Sequence, residues 1–142
     1  MNDFVYQQTL PLKLLPSYGR HDFIVGESNI EAVKWIDSFS KSKINGLIII
    51  GPSASGKSHL ISTLKNKYKI LEAKEINNEK TNILELKDLI IENIEKIKNH
   101  YFFLHVINIV KEKNFKVLLT SRLSINELNI RLEDLKSRLL AY

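Results

Sequence analysis

Residues 51–58 read Gly51-Pro52-Ser53-Ala54-Ser55-Gly56-Lys57-Ser58 and match the phosphate-binding pattern GxxxxGK[ST] at every defined position. Glycines and small side chains let successive backbone N–H groups turn inward around phosphate oxygens. A helix opening directly behind them, with His59 in its first turn, aims its positive end at the same anion. Lys57 is expected to reach the terminal phosphates and the Ser58 hydroxyl to ligate Mg²⁺. The expected ligand is ATP or ADP with Mg²⁺.

Such a loop needs a partner acid at the end of a neighbouring strand, and the stretch DLIIENIE (88–95) offers Glu92. A carboxylate there holds Mg²⁺ through water, which assigns Ser58 and Glu92 to the metal. Chains that hydrolyse ATP usually carry a second acid beside it to polarise the attacking water. Here that place is taken by Asn93, whose amide has no useful basic oxygen at neutral pH. The pattern predicts secure nucleotide binding with weak or no unaided hydrolysis. His59, His100 and His105 show no metal-ligand spacing; His59 is read as a helix residue behind the loop, and the other two as helix-packing residues.

The elements that must position these groups follow from apolar patterning. Ser28-x-x-Glu31 is a capping-box pattern, with Ile30, Val33, Ile36 and Phe39 at near-helical spacing behind it. The run GLIII (46–50) suits a strand buried on both faces. A helix is expected over 59–67, strands over 68–73, 86–91 and 117–120, a buried helix over 101–111 and a short helix over 132–140. Alternating strands and helices predict an α/β fold with a parallel sheet. Residues 1–19, interrupted by Pro11 and Pro16, read as an extended arm ahead of a core over 20–142.

Composition narrows the class. At 142 residues and 44% apolar content, one domain with a real core is expected, and the absence of cysteine rules out disulfides and thiolate metal sites. No apolar run approaches the roughly 18 residues of a membrane span, and residues 1–10 lack the features of a signal peptide, which points to the cytoplasm. The net charge of +5 is scattered along the chain, as on a solvated lysine-rich surface, and does not argue for a dedicated nucleic-acid face.

Six segments together carry a resemblance: FIVGESNIEAV (23–33), GPSASGKSHL (51–60), IIENIE (90–95), FLHVINIVKE (103–112), VLLTSR (117–122) and LNIRLEDLKSRL (128–139). In this order they resemble the DnaA-type AAA+ family, over about residues 20–140. Asn93-Ile94-Glu95 is most similar to the Hda branch, regulatory inactivators of the replication initiator. The arm points the same way: Gln7-Gln8-Thr9-Leu10-Pro11-Leu12 resembles that branch's clamp-binding hexapeptide, with Gln8 where the branch has Leu. A proline-stiffened peptide can seat Leu10 and Leu12 in apolar pockets at modest ordering cost, while Gln7 hydrogen-bonds.

The resemblance implies a three-layer α/β/α P-loop NTPase fold and a regulator that meets the initiator DnaA on the DNA polymerase sliding clamp and triggers its ATP hydrolysis. It assigns Arg138 as an arginine finger acting in trans, and places sensor-like groups at Asn93, Thr120 and Ser121. The initiator has an acid where this chain has Arg122. The alternative is an initiator core or helicase-loader-like ATPase with its own turnover. No helix-turn-helix segment follows the core, which argues against specific binding to duplex DNA. Family members continue past the finger into a fifth strand and a helical lid; this sequence reads Leu139-Leu-Ala-Tyr142 there, so a core lacking both is expected, as a fragment or a shortened gene product. Residues 46–50 would then form an open sheet edge, for which self-association could compensate.

Overall fold

The computed structural model describes residues 30–78, 80–82 and 85–142. The clamp-like segment Gln7–Leu12 and the Ser28 capping pattern lie outside the described residues. The described elements run α1 (Ile30–Phe39), β1 (Gly46–Ile50), α2 (Lys57–Ser62), β2 (Lys69–Glu72), α3 (Ala73–Ile76), β3 (Leu89–Glu92), a 3₁₀ turn (Ile94–Lys96), α4 (His100–Glu112), β4 (Val117–Ser121) and α5 (Glu133–Leu140).

The four strands form one parallel sheet in the order β1-β4-β3-β2. Period-two alternation divides their side chains between two cores. Leu89, Ile91, Val117 and Leu119 face one side, where they pack with Phe103, Val106, Ile107 and Val110 of α4 and Leu135 and Leu139 of α5. Ile90 and Leu118 face the other and pack with Val33, Ile36 and Phe39 of α1 and Leu60 and Ile61 of α2. Three layers result because strands buried on both faces need helices on both. Each fully buried aliphatic side chain contributes roughly 1.5–3 kcal/mol of transfer free energy.

Several boundaries differ from the sequence expectation, each for a local reason. The helix expected over 59–67 is α2, which begins at Lys57 and ends at Ser62. The hydroxyls of Ser62 and Thr63 donate to the carbonyls of His59 and Leu60 (2.6 and 2.7 Å), and the chain tightens into turns. The strand expected over 68–73 is β2, which stops at Glu72, where the Glu75 carboxylate accepts the Glu72 N–H (2.7 Å) and opens α3. The strand expected from residue 86 starts at Leu89, because the Asp88 carboxylate accepts the Lys116 N–H (2.8 Å) in place of a ladder carbonyl. The other helix and strand boundaries expected within the described residues agree to within a residue or two. His105 does not pack into the core; it stands on the exposed face of α4.

Among the described residues β1 pairs only with β4, so its other side is an open edge. Near its start the Tyr142 ring lies against Gly46, where an added Cβ would come within 2.2 Å of a ring carbon. Lys116 braces the segment leading into β1: its ammonium donates to the carbonyls of Ser42 and Ile44 (2.8 and 2.9 Å) and lies 4.8 Å from the centre of the Phe39 ring.

Candidate nucleotide-binding site

The C-terminal ends of β1, β3 and β4 converge on one cavity of about 320 Å³ lined by residues 53–59, Asn93 and Arg122. Its floor is the loop between β1 and α2. Ala54 (φ 59°) and Gly56 (φ 88°) both adopt the left-handed conformation, which turns the chain tightly enough to start α2 at Lys57. The Gly51 N–H donates to the Ser121 carbonyl (3.0 Å), which fixes the start of the loop to β4.

Lys57 folds back across this loop. Its ammonium donates to the Gly51 carbonyl, to the Pro52 carbonyl (2.7 Å) and to Ser55 Oγ (3.1 Å). Desolvation lowers its pKa, the Glu95 carboxylate acts in the opposite sense, and the Arg122 charge lowers it further. Two cations thus act on one another across the cavity.

Glu92 ends β3, and its carboxylate lies beside the Ser58 hydroxyl at the start of α2. Burial raises the Glu92 pKa, the nearby Ser58 hydroxyl opposes that, and the neighbouring Glu72 adds to it. Glu72 is its parallel-ladder partner on β2. Glu92 Oε1 is buried without a hydrogen-bond partner. Among the described residues no group of three or more His, Cys, Asp or Glu could hold a metal ion unaided. Mg²⁺ is commonly bound by one or two protein oxygens plus phosphates and water. A hydroxyl and a carboxylate side by side, with one buried carboxylate oxygen unpartnered, fit that requirement.

Asn93 turns the chain sharply after β3 (φ 58°, ψ 52°), and its N–H donates to Thr120 Oγ1 (3.1 Å). Asn93 lines the cavity, whereas Thr120 and Ser121 are fully buried beneath it. The Ser121 hydroxyl donates to the Leu123 carbonyl (2.6 Å) and accepts the Leu123 N–H (3.1 Å), so it is committed to the backbone. The side chain that reaches the cavity from this strand end is Arg122.

The structure also brings in Glu95, which carries no chemical role in the sequence pattern. The turn at Asn93 and the 3₁₀ turn after it carry Glu95 back to Arg122, with Glu95 Oε1 3.6 Å from Arg122 Nε. A sharp turn after a strand-end acid was the signal that could have found it.

Arg138 stands elsewhere. It lies on α5, paired with Asp134 (3.2 Å), and lines a separate cavity of about 560 Å³ with Ile44, Gly46 and Tyr142, at the opposite end of β1 from the loop. Five strand residues at about 3.3 Å each put the two poles roughly 15 Å apart along the sheet. Arg138 does not serve its own chain's loop in this arrangement.

A parallel sheet in the order β1-β4-β3-β2, with the GxxxxGKS loop leaving β1 and an acid ending β3, can be compared with solved structures. AMPPCP-bound DnaA from Aquifex aeolicus superposes with a TM-score of 0.70 at 20% identity, over 91% of this chain and 49% of that one. Domain III of the Thermotoga maritima replication initiation protein DnaA gives 0.73 at 18% identity, over 88% and 64%. The fold is that of these DnaA structures. A DnaI structure shares it, with a TM-score of 0.63 at 15% identity over 86% of this chain and 82% of that one. The chain spans about half the length of the DnaA structure from A. aeolicus. No family model matches the sequence, and no curated protein is significantly similar to it. Among the described residues no helix is long and apolar enough to cross a membrane.

Proposed function

We propose that this chain holds a Mg²⁺-bound adenine nucleotide and acts as an Hda-like regulator of replication initiation. In this reading it promotes ATP hydrolysis by the initiator DnaA in complex with the sliding clamp. The observation that carries the nucleotide part is the Lys57 loop with the Ser58 hydroxyl and the Glu92 carboxylate beside it, the two protein groups that would meet a phosphate-bound Mg²⁺. Asn93 in the place of a second acid supports a site that retains its nucleotide.

The separation of Arg138 from its own loop supports a finger directed at a neighbour's nucleotide, where such an arginine is worth roughly 10³–10⁵ in rate. The hexapeptide at 7–12 supports clamp docking from sequence alone. Reconstitution of initiator, DNA-loaded clamp and this protein, with and without Arg138→Ala, tests the regulatory part. No stimulation of initiator hydrolysis by the unaltered protein would reject it. A peptide of residues 1–14 that binds clamp, and loses binding when Leu10 and Leu12 both become Ala, tests the docking part separately.

A second reading, an AAA+ protein of the helicase-loader kind with its own turnover, draws on the DnaI structure that shares the fold. Steady ATP hydrolysis by the purified chain, abolished by Lys57→Ala, would select it.

A further inference from the structure

We propose that the open edge of β1 is a self-pairing surface. On it a second copy of this chain adds its own β1, antiparallel, across a two-fold axis at Ile48, joining two four-stranded sheets into one. The inference goes beyond the function proposed above and does not depend on it.

The edge presents everything a partner strand needs. From Ile44 to Gly51 the chain carries neither a charged residue nor a proline, the features that ordinarily keep an edge strand from pairing. The Asn45 carbonyl accepts the Val117 N–H (2.8 Å) and the Gly51 N–H donates to the Ser121 carbonyl (3.0 Å), so the odd-numbered positions direct their backbone groups to β4. Alternation turns the N–H and C=O of Gly46, Ile48 and Ile50 to the side where no described strand lies. The same three positions share the α4–α5 face of the sheet, where Ile48 packs against the core.

The side chains along this edge are uneven in a way that antiparallel self-pairing satisfies. Ile50 at one end is 49% exposed. Gly46 at the other end lies against the Tyr142 ring, and with Ile44 both line the cavity of about 560 Å³ at that pole. A two-fold axis perpendicular to the sheet sets Ile48 opposite its own copy and each Ile50 opposite the partner's Gly46, on the same face. The exposed isoleucine of each copy then meets the Tyr142 ring and the cavity mouth of the other. All three outward positions form hydrogen-bonded pairs in this register. In-register parallel pairing would instead set Ile50 against Ile50 and Gly46 against Gly46, crowding one end and leaving the other unfilled. A five-residue strand alone covers less than the roughly 1,200 Å² of a standard interface, so the dimer is a weak, concentration-dependent one.

Sedimentation velocity of the full chain across the micromolar range tests this, with folding checked by circular dichroism. A monomer–dimer equilibrium with a micromolar midpoint is expected, and Ile50→Lys should weaken it about tenfold or more with the fold unchanged. If Ile50→Lys folds poorly, Ile50→Thr keeps the branched, strand-forming shape and should still weaken the dimer several-fold. The absence of cysteine from the sequence permits a check of register with a short thiol-to-thiol crosslinker. Ile48→Cys should be joined into dimers, because facing Cα atoms of a hydrogen-bonded pair are about 5.5 Å apart. Ile50→Cys should not, because its two copies would lie about 14 Å apart along the strands. A chain that stays monomeric throughout the range leaves the edge to another occupant and overturns the proposal. A dimer indifferent to Ile50→Lys, assembly beyond the dimer, or equal crosslinking at the two positions overturns it as well.

Discussion

The Ser58 hydroxyl and the Glu92 carboxylate lie beside each other, one at the start of a helix and the other at the end of a strand two places across the sheet. Neither group needs to travel to receive a cation already carried by phosphate oxygens. Much of the ordering that such a site requires is built into the fold, where the β3–β4 and β1–β4 ladders hold the two ends in register.

Removing either partner should therefore expose a metal dependence. Glu92→Gln and Ser58→Ala are expected to weaken nucleotide binding about tenfold in Mg²⁺ and to change it little in EDTA. Fluorescent-nucleotide titrations under both conditions check this. Equal loss in the two conditions would mean that the pair supports the loop and not the metal.

Glu92 should also leave a pH signature of definite sign. Burial raises its pKa above the ordinary 4.5, so the native state binds more protons than the unfolded state from that value upward. Its contribution to stability is present below the ordinary value and is lost as pH rises through the raised one. In metal-free denaturation the unaltered protein should lose stability relative to Glu92→Gln across that window. Mg²⁺-nucleotide affinity should run the other way and strengthen with pH, because the metal needs the ionised carboxylate.

Arg138→Ala is expected to leave this chain's own nucleotide affinity unchanged, since Arg138 lines a different cavity. Loss of its exposed pair with Asp134 should alter stability by only about 0.3–0.5 kcal/mol. In the reconstituted hydrolysis assay it should abolish stimulation of the initiator. A large fall in nucleotide affinity, measured on the isolated chain, would instead place Arg138 in its own site.

Gly46→Ala should destabilise the fold by about 1–2 kcal/mol, because the new methyl would meet the Tyr142 ring at 2.2 Å. Adding Tyr142→Ala should make the pair markedly non-additive in a denaturant double-mutant cycle, since one side chain creates the conflict and the other relieves it. Simple additivity would show that the ring does not rest on Gly46 in solution.

Elements whose local pattern has one physical outcome are legible in the sequence. GLIII at 46–50, followed by small residues and Gly56-Lys57-Ser58, admits little besides a buried strand turning into a phosphate loop. Glu92 was placed correctly at a strand end because the apolar residues before it had to be buried. The approach of Glu95 to Arg122 was hidden, since it depends on the left-handed turn at Asn93 and a single 3₁₀ turn that no periodicity announces. Thr120 and Ser121 drew attention as polar residues ending an apolar strand, yet one hydroxyl accepts the Asn93 N–H and the other bonds the backbone of Leu123. From sequence alone, a hydroxyl held by backbone looks the same as one that faces a ligand.

Strand β1 has the phosphate loop at one end and the Gly46–Tyr142 contact, with Arg138 nearby, at the other. Its five residues pair one to one with Val117 through Ser121, and a slip of one position would turn every side chain to the wrong face. The strand is in effect a ruler cut to a fixed length. The interval between the place where a phosphate is gripped and the place where α5 meets its surroundings is set by backbone register, and side chains on either pole can change without altering it.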